Sequence, residues 1–304
     1  MKNITFSTAF ICLILSACNL PKLNQKHLDK KYARLGIEEK RFEQNGHEIK
    51  YFEGGVGDTL LLVHGFGGDG QVTWAKNIKE LSAHYHLIIP DLLWFGESKS
   101  SKPQNMDSQV DALSSLLAFS QVDRYHIAGI SYGGFVTLGM AVHEGEKIDK
   151  MVIIDSPGFT YNIDLLDTIA VQNNAKTVED VFVVKNGEEV ERLYNFAFYR
   201  DKNFPNGLMQ DTYEFYFSEN HDEQTELIQS LKAEQERYLS NGIPKQPKSL
   251  IIWGEHDMVF PMSEAVKLEK YLNCEMKVIE KAGHAPNIEQ LKEFNSIMIE
   301  FLKD

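Results

Sequence analysis

The chain has 304 residues, of which 43% are hydrophobic, so it can bury a large core in one domain and still carry an inserted cap. Its formal net charge of −13 argues against nucleic acid as a partner. No cluster of His, Cys and Asp has the spacing of metal ligands, so the sequence implies no metal and no other cofactor.

The N-terminus has the pattern of an export signal. Met1-Lys2 is a short basic start, residues 4–15 are mainly apolar, and Leu15-Ser16-Ala17-Cys18 follows. The apolar part is too short to span a bilayer as a stable helix, which favours a signal peptide over residues 1–17. Small residues directly before a cysteine resemble the lipobox of bacterial lipoproteins, which implies that Cys18 is lipidated. The alternative is a conventional signal peptide cut nearby, with Cys18 incidental.

Residues 18–36 are predicted to be the lipidated cysteine and a tether. Residues 19–34 carry five basic side chains against one acidic side chain, Asp29. They form either a solvated spacer or a segment lying against anionic headgroups, where each basic residue contributes about 1 kcal/mol. Asn19 after the cysteine, by analogy with such lipoproteins, suggests sorting to the outer membrane if the source has two membranes. The expected location is therefore exported and lipid-anchored, on the outer membrane facing the periplasm.

Strands and helices alternate through the rest of the chain. The predicted strands are 40–44, 48–53, 59–63, 85–90, 124–130, 150–155, 249–253 and 276–279. The predicted helices are 72–83, 106–119, 132–144, 262–272 and 287–302. This alternation predicts an α/β protein with a mostly parallel sheet of about eight strands, covered by helices on both faces. Asn45-Gly46 marks a hairpin, which makes the first strands antiparallel.

One interval breaks the alternation. Residues 158–248 contain no convincing buried strand, and the apolar spacing in residues 190–198 and 226–239 is typical of amphipathic helices. We interpret this interval as a helical cap inserted into a core made of residues 37–157 and 249–304. Most of its many aromatic side chains are expected to pack within the cap, and a minority to line an apolar pocket.

Gly129-Ile130-Ser131-Tyr132-Gly133 joins a predicted strand to a predicted helix. This is the G-x-S-x-G pattern of a nucleophile elbow in the context that it requires. The serine sits on a sharp, strained turn, so the flanking positions must be very small. The pattern alone also fits an ordinary glycine-containing turn. A serine needs a base and an orienting acid to act as a nucleophile, so those residues must be sought later in the chain.

Two later residues have suitable positions for these roles. Asp257 lies just past the end of strand 249–253, and His284 lies in a small-residue loop after the last predicted strand. The order Ser131, Asp257, His284 is the one expected for a nucleophile elbow. Two alternatives stay open for the acid. Asp257 could simply cap the helix that follows, and Asp155, at another strand end, could reach the histidine instead.

A glycine-rich loop, His64-Gly65-Phe66-Gly67-Gly68, directly follows strand 59–63. It lacks the Lys and Ser/Thr of a Walker motif and the G-x-G-x-x-G spacing, which disfavours phosphate binding. We expect the backbone N–H groups of Phe66 and Tyr132 to form an oxyanion hole, in which each donor contributes about 3 kcal/mol. His64 and Gly65 are expected to support the loop.

Together these motifs make residues 41–304 resemble the α/β-hydrolase superfamily, and in particular its esterases and lipases with a helical cap. The resemblance implies an α/β-hydrolase fold and a catalytic triad of Ser131, Asp257 and His284. One departure is visible. Many relatives carry Asp-x-Pro-Gly where this chain has Asp91-Leu92-Leu93-Trp94. The shape of that loop, and of any pocket wall that it forms, is left open.

The predicted activity is hydrolysis of a carboxylic ester or lipid through an acyl-enzyme. His284 would take the Ser131 proton while Asp257 orients the imidazole. A carbon–carbon bond hydrolase of the same superfamily stays open, as does a non-catalytic surface protein that binds through its cap. A peptidase is less favoured because no acidic cluster for a substrate amine is evident. An aspartate-nucleophile dehalogenase or epoxide hydrolase is disfavoured by the serine at the elbow.

Overall fold

A computed structural model of the protein describes residues 20–200, 204–205 and 207–303. The signal peptide predicted over residues 1–17 and the predicted lipidation site Cys18 lie outside these residues. The described chain contains one sheet. Its strands are β1 Glu38–Gln44, β2 His47–Gly55, β3 Thr59–Val63, β4 His86–Pro90, β5 Lys99–Ser100, β6 Tyr125–Ile130, β7 Ile148–Ile154, β8 Lys248–Gly254 and β9 Glu275–Ile279.

Helices precede, connect and follow these strands. They are α1 Leu20–Arg34, α2 Gly70–Trp74, α3 Ile78–Leu81, α4 Met106–Phe119, α5 Tyr132–Glu144, α6 Asp164–Gln172, α7 Glu179–Phe182, α8 Gly187–Ala197, α9 Leu208–Tyr216, α10 His221–Asn241, α11 Met262–Leu272, α12 Pro286–Glu289 and α13 Leu291–Lys303. In the part of the chain that the structure describes, every helix is too short or too polar to cross a bilayer.

The strand order across the sheet is β1-β2-β4-β3-β6-β7-β8-β9, and β5 pairs with β2 at one side. The pairs from β4 to β9 are parallel, whereas β1, β2 and β5 pair antiparallel. Parallel neighbours need a crossover, which the intervening helices supply. The structure therefore confirms the predicted α/β class and its antiparallel opening hairpin, and adds the two-residue strand β5.

Two apolar cores lie on opposite faces of the sheet. Along β3, Leu60 and Leu62 belong to one core, while Leu61 and Val63 belong to the other, and all four side chains are fully buried. Successive strand side chains point to opposite faces, so a strand covered on both sides must be apolar at every position. The continuous apolar runs of the sequence follow from this requirement.

Two helices predicted as continuous are each divided. The segment predicted at 72–83 forms α2 and α3, and the segment predicted at 287–302 forms α12 and α13. Between α2 and α3, the buried side-chain amide of Asn77 donates to Asn287 O at 3.1 Å and to Asn295 Oδ1 at 2.9 Å. These long-range hydrogen bonds hold the two divided segments together, which a local helical pattern does not reveal.

The segment predicted as a tether contains helix α1, and this helix packs on the domain. Leu28 and Tyr32 are buried. The Tyr32 hydroxyl donates to Gln71 O at 2.8 Å, and Lys31 Nζ donates to Ala75 O at 2.5 Å. These contacts fix α1 against α2, so residues 20–34 are not the solvated spacer that the composition suggested.

Between β7 and β8, the described residues form helices α6 to α10 and a 3₁₀ turn, Gly158–Thr160, with no strand among them. Helix α8 packs closely on α9, and α10 lies against α4 and the 3₁₀ turn. The described residues between β7 and β8 are thus helical as predicted, although only two of these helices were recognisable as amphipathic patterns.

Candidate active site

Ser131 occupies the turn between β6 and α5 with φ 55° and ψ −121°. A non-glycine residue with positive φ outside the left-handed helical region is strained, and such strain persists only where the surroundings impose it. Here the Ser131 N–H donates to Ile154 O at 2.9 Å, which ties the turn to β7. The turn therefore projects the serine side chain from the carboxyl end of the sheet.

The elbow requires glycine on both sides of Ser131. A Cβ placed on Gly133 would lie 2.5 Å from His64 O and from Val63 O. A Cβ on Gly129 would overlap the Gly133 carbonyl and the Thr137 hydroxyl. Backbone cannot move away from such contacts cheaply, so the motif spacing reflects close approach of β3, β6 and α5.

Three side chains predicted from separate parts of the sequence meet at this turn. His284 Nε2 lies 2.8 Å from Ser131 Oγ, and His284 Nδ1 lies 2.8 Å from Asp257 Oδ2. Asp257 is almost fully buried, and its Oδ1 accepts from Val259 N at 2.8 Å and Phe260 N at 3.0 Å. Since a carboxylate only accepts, Nδ1 of His284 carries a proton and Nε2 is free to accept one from Ser131.

The competing acid, Asp155, lies beside Asp257 instead of bonding to the histidine. It directly follows β7, is fully buried, and its Oδ1 accepts from Gly254 N at 2.7 Å. Burial, followed by the negative charge of Asp257, raises the pKa of Asp155 well above its usual range. The hydrogen bond to His284 is thus made by Asp257 and not by Asp155.

The loop of His284 is held by helices on both sides. His284 N donates to Ala197 O at 2.6 Å, which links it to the end of α8. The carboxylate of Glu289, in α12, accepts from Gly283 N at 2.7 Å and from Tyr199 N at 3.0 Å. Ala197, in the segment between β7 and β8, and Glu289, in α12, therefore position the histidine loop. No sequence pattern around either residue indicated this role.

The glycine-rich loop after β3 passes close to Ser131, because a Cβ on Gly65 would lie 3.0 Å from Ser131 Cβ. Tyr132 is the first residue of α5, where helical N–H groups lack helical acceptors. Among the described residues, neither the Phe66 nor the Tyr132 N–H donates to a loop, turn or cap carbonyl.

His64 is fully buried behind this loop. Its Nε2 accepts from Leu92 N at 2.8 Å, so its Nδ1 carries the proton and donates to Gly65 O at 2.7 Å. Burial lowers the pKa of His64 to about 4, against the opposing effect of the Gly65 hydrogen bond. A neutral His64 thus connects the glycine-rich loop to the loop that follows β4.

The loop whose shape was left open folds inward. Leu92, Leu93, Trp94 and Phe95 are all buried, and Phe95 packs edge-on against Phe66 with ring centroids 4.8 Å apart. None of the four belongs to the described lining of the cavity beside Ser131. The sequence departure after Asp91 therefore builds an aromatic layer behind the glycine-rich loop and does not form the pocket wall.

A cavity of about 260 Å³ opens beside Ser131 and His284. Its walls combine the glycine-rich loop, α2, α12 and the helices that follow β7, and they are mainly apolar. The lining side chains beyond the predicted site residues include Val72, Phe182, Leu193, Tyr194, Phe198, Val259 and Ile288. In the described chain, no group of three or more His, Cys, Asp or Glu side chains is arranged to hold a metal ion.

Comparison with known proteins places this geometry in a family. The chain is 27% identical to Lipase 1 of Psychrobacter immobilis over 319 residues, covering 96% of this chain and 94% of that protein. It is 24% identical over 259 residues to a 2-hydroxy-6-oxononadienedioate/2-hydroxy-6-oxononatrienedioate hydrolase of Cupriavidus pinatubonensis, covering 82% and 88%. A solved candidate lipase from Acinetobacter baumannii superposes with a TM-score of 0.79 at 22% identity, covering 99% and 97%. The model of the alpha/beta hydrolase fold matches residues 58–291, so the chain belongs to the alpha/beta hydrolase fold family.

Proposed function

We propose that the protein is a serine hydrolase that cleaves carboxylic esters of apolar acyl groups. The observation that carries this proposal is the continuous hydrogen-bonded chain Asp257–His284–Ser131, with both links to the histidine at 2.8 Å. It ends at a serine held in strained backbone geometry at the wall of an apolar cavity. Similarity to a lipase along nearly the whole chain supports the same reaction class.

The reaction proceeds in two halves. Ser131 Oγ attacks the ester carbonyl carbon while His284 Nε2 takes its proton, and Asp257 stabilises the imidazolium that forms. His284 then gives the proton to the leaving alkoxide, which departs as an alcohol and leaves an acyl-enzyme on Ser131. Water, deprotonated by His284, attacks the acyl carbon in the second half and releases the carboxylic acid.

The Phe66 and Tyr132 N–H groups are the proposed donors to the oxyanion. Their value lies in being fixed before the reaction begins, since no reorganisation is then needed as charge develops. The His64 hydrogen bonds to Gly65 and Leu92, and the aromatic contact between Phe66 and Phe95, hold this loop. The described residues that line the cavity include neither lysine nor arginine, and their mainly apolar surface favours an acyl chain as occupant.

Replacement of Ser131 by alanine tests the assignment. We expect Ser131→Ala to abolish both hydrolysis of p-nitrophenyl esters and covalent labelling by a fluorophosphonate probe. Ser218→Ala, at a serine just after α9 whose hydroxyl donates to Glu214 O at 2.9 Å, provides the matched control and should keep both. Full esterase activity in Ser131→Ala would show that the nucleophile is wrong, and failure of the wild type to react with any such probe would favour a non-catalytic binding protein.

A carbon–carbon bond hydrolase is the second candidate, because the chain is also similar to a hydrolase of that kind. The same purified protein should therefore be given esters of increasing acyl length and a vinylogous diketone in parallel. We expect turnover of the esters. Preferential cleavage of the diketone, again lost in Ser131→Ala, would reassign the substrate and keep the nucleophile.

We also propose that Cys18 carries a lipid anchor after export. The support is the basic start, the short apolar run and the small residues before the cysteine. One acyl chain would bind a membrane only marginally, whereas several chains on one cysteine anchor a protein stably. The asparagine that follows, Asn19, supports placement on the outer membrane, facing the periplasm.

A further inference from the structure

Two buried carboxyl groups meet behind the histidine. Asp155 follows β7 and Asp257 follows β8, and Gly254 lies between them: its N–H donates to Asp155 Oδ1 at 2.7 Å, and its carbonyl accepts from Asp257 N at 3.2 Å. The two carboxyl groups are within hydrogen-bonding reach of each other. Neither is open to solvent, since Asp155 is fully buried and Asp257 nearly so.

The hydrogen bonds divide unequally between the two. Asp257 accepts three, from His284 Nδ1, Val259 N and Phe260 N. Asp155 accepts one at Oδ1, while its Oδ2 has no donor among the described residues. A carboxylate is stabilised by the donors that it accepts from, so the pair's negative charge belongs on Asp257. An ionised Asp257 offers only acceptor oxygens to Asp155, so a hydrogen bond between the two carboxyl groups requires a proton on Asp155, and Oδ2 is the oxygen without a donor.

We propose that Asp155 is a neutral carboxylic acid whose Oδ2–H donates a hydrogen bond to the Asp257 carboxylate, and that it acts as a positioning residue for the acid of the triad. This inference deepens the proposed hydrolase mechanism and rests on it for its kinetic consequences. No bond to a substrate forms or breaks here. The proton stays on Asp155 through the cycle, and Asp257 remains the group that faces His284.

Most of the surroundings favour the neutral form of Asp155. Burial raises the pKa of Asp155, and the nearby carboxylates of Asp257 and, from α12, Glu289 raise it further; the Gly254 N–H opposes them. The backbone adds a second sign of constraint, because Asp155 has φ 43°, an uncommon conformation for a residue with a side chain. Like-charged carboxyl groups in contact cannot both ionise in a buried site.

The protonation state can be tested without reference to activity. Isotope-edited infrared spectra of the wild type and of Asp155→Asn are compared at pH 7. The wild-type spectrum should contain the carbonyl stretch of a protonated carboxylic acid, and the spectrum of the variant should lack it. Asp149→Asn, which removes a partly exposed carboxylate of β7 that pairs with Arg124, is the matched control and should leave that band in place. Absence of the band from the wild type would overturn the proposal, whatever reaction the enzyme catalyses.

Kinetics test the positioning role. Asp155→Ala should lower kcat about tenfold with KM little changed, since it removes a hydrogen bond to a charged group. Asp155→Asn should recover most of that loss, because its amide both accepts from Gly254 N and donates to Asp257. In the pH profile of kcat/KM, the acid limb, which is the fall in activity at low pH, should stay where it is in the wild type. If Asp155 were ionised, Asp155→Asn would remove a negative charge near His284 and shift the acid limb to lower pH. That shift, or retained activity in Asp257→Asn, would contradict the assignment. Melting temperatures equal to that of the wild type would show that the variants fold.

Discussion

At the scale of single residues, burial of an ionisable group ties stability to pH. His64 is fully buried, and its pKa falls from 6.5 to about 4 on folding because burial disfavours the imidazolium. Between these two pH values the unfolded chain binds more protons than the folded one. The contribution of His64 to the free energy of unfolding is therefore complete above pH 6.5 and is lost as the pH falls to about 4. A shift of this size corresponds to about 3 kcal/mol.

His64→Gln provides the test, since glutamine keeps an acceptor for the Leu92 N–H but cannot be protonated. We expect the stability advantage of wild type over the variant, measured by urea unfolding, to shrink as the pH is lowered from 6.5 towards 4. Burial, together with the charge of Asp69, raises the pKa of Asp91 to about 8, which makes the stability contribution of Asp91 decline as pH rises from 3.8 to 8. Both proteins contain Asp91, so this opposite contribution cancels in the difference. Parallel stability curves would contradict the prediction.

The site residues could be predicted where the neighbouring residues in the sequence determine their position in the fold. Ser131 is marked by flanking glycines, and Asp257 and His284 by their places just after predicted strands, so their meeting could be anticipated from parallel strands ending at one edge. Asp155 could be named only as a rival acid. Glu289 could not be found, because its task is to accept N–H groups from two loops that are far away in sequence.

At the scale of elements, the strands were predictable because burial on both faces demands unbroken apolar runs. Helices α4, α5 and α11 also have the predicted bounds. The break between α2 and α3 was not predictable, since it depends on Asn77 bonding to α12 and α13. Strand β5 was missed because two residues are too few to form a pattern.

The doubly covered sheet predicts which strand substitutions destabilise the fold. Leu62 is fully buried in β3 at the middle of the sheet, so Leu62→Ala should lower the free energy of unfolding by about 2–5 kcal/mol. Val278 is 41% exposed on the edge strand β9, and Val278→Ala should change the free energy of unfolding by about 0.5 kcal/mol or less. Urea unfolding of both variants makes the comparison, and equal losses would contradict the burial argument.

At the scale of the whole molecule, charge is unevenly placed. The chain carries a formal net charge of −13, yet α1 exposes Lys22, Lys26, Lys30 and Arg34 beside Leu23. The opposite stripe of the same helix, with Leu28 and Tyr32, is buried against the domain. Composition predicted the basic character of this segment but not its helix, because the stabilising partners of α1 lie in α2 and α9.

The proposed anchor is tested by replacing its attachment site. We expect Cys18→Ser to prevent incorporation of radiolabelled palmitate and to move the protein from the membrane fraction to the soluble fraction, with esterase activity retained per folded molecule. Cys274→Ser, at a half-buried cysteine just before β9, is the control and should leave both labelling and fractionation unchanged. Labelling that survives in Cys18→Ser would contradict the lipoprotein assignment.

The packing of α1 determines how far such an enzyme could travel from its membrane. Leu20, the first described residue of the helix, is only two positions after Cys18, so covalent geometry allows at most about 7 Å between their Cα atoms. The helix is in turn bonded to α2 at Gln71 and to α9 through Tyr216 and Gln25. If the proposed acylation and hydrolase activity both hold, the protein would keep Ser131 close to one leaflet and would hydrolyse molecules lodged in that leaflet before any that diffuse freely.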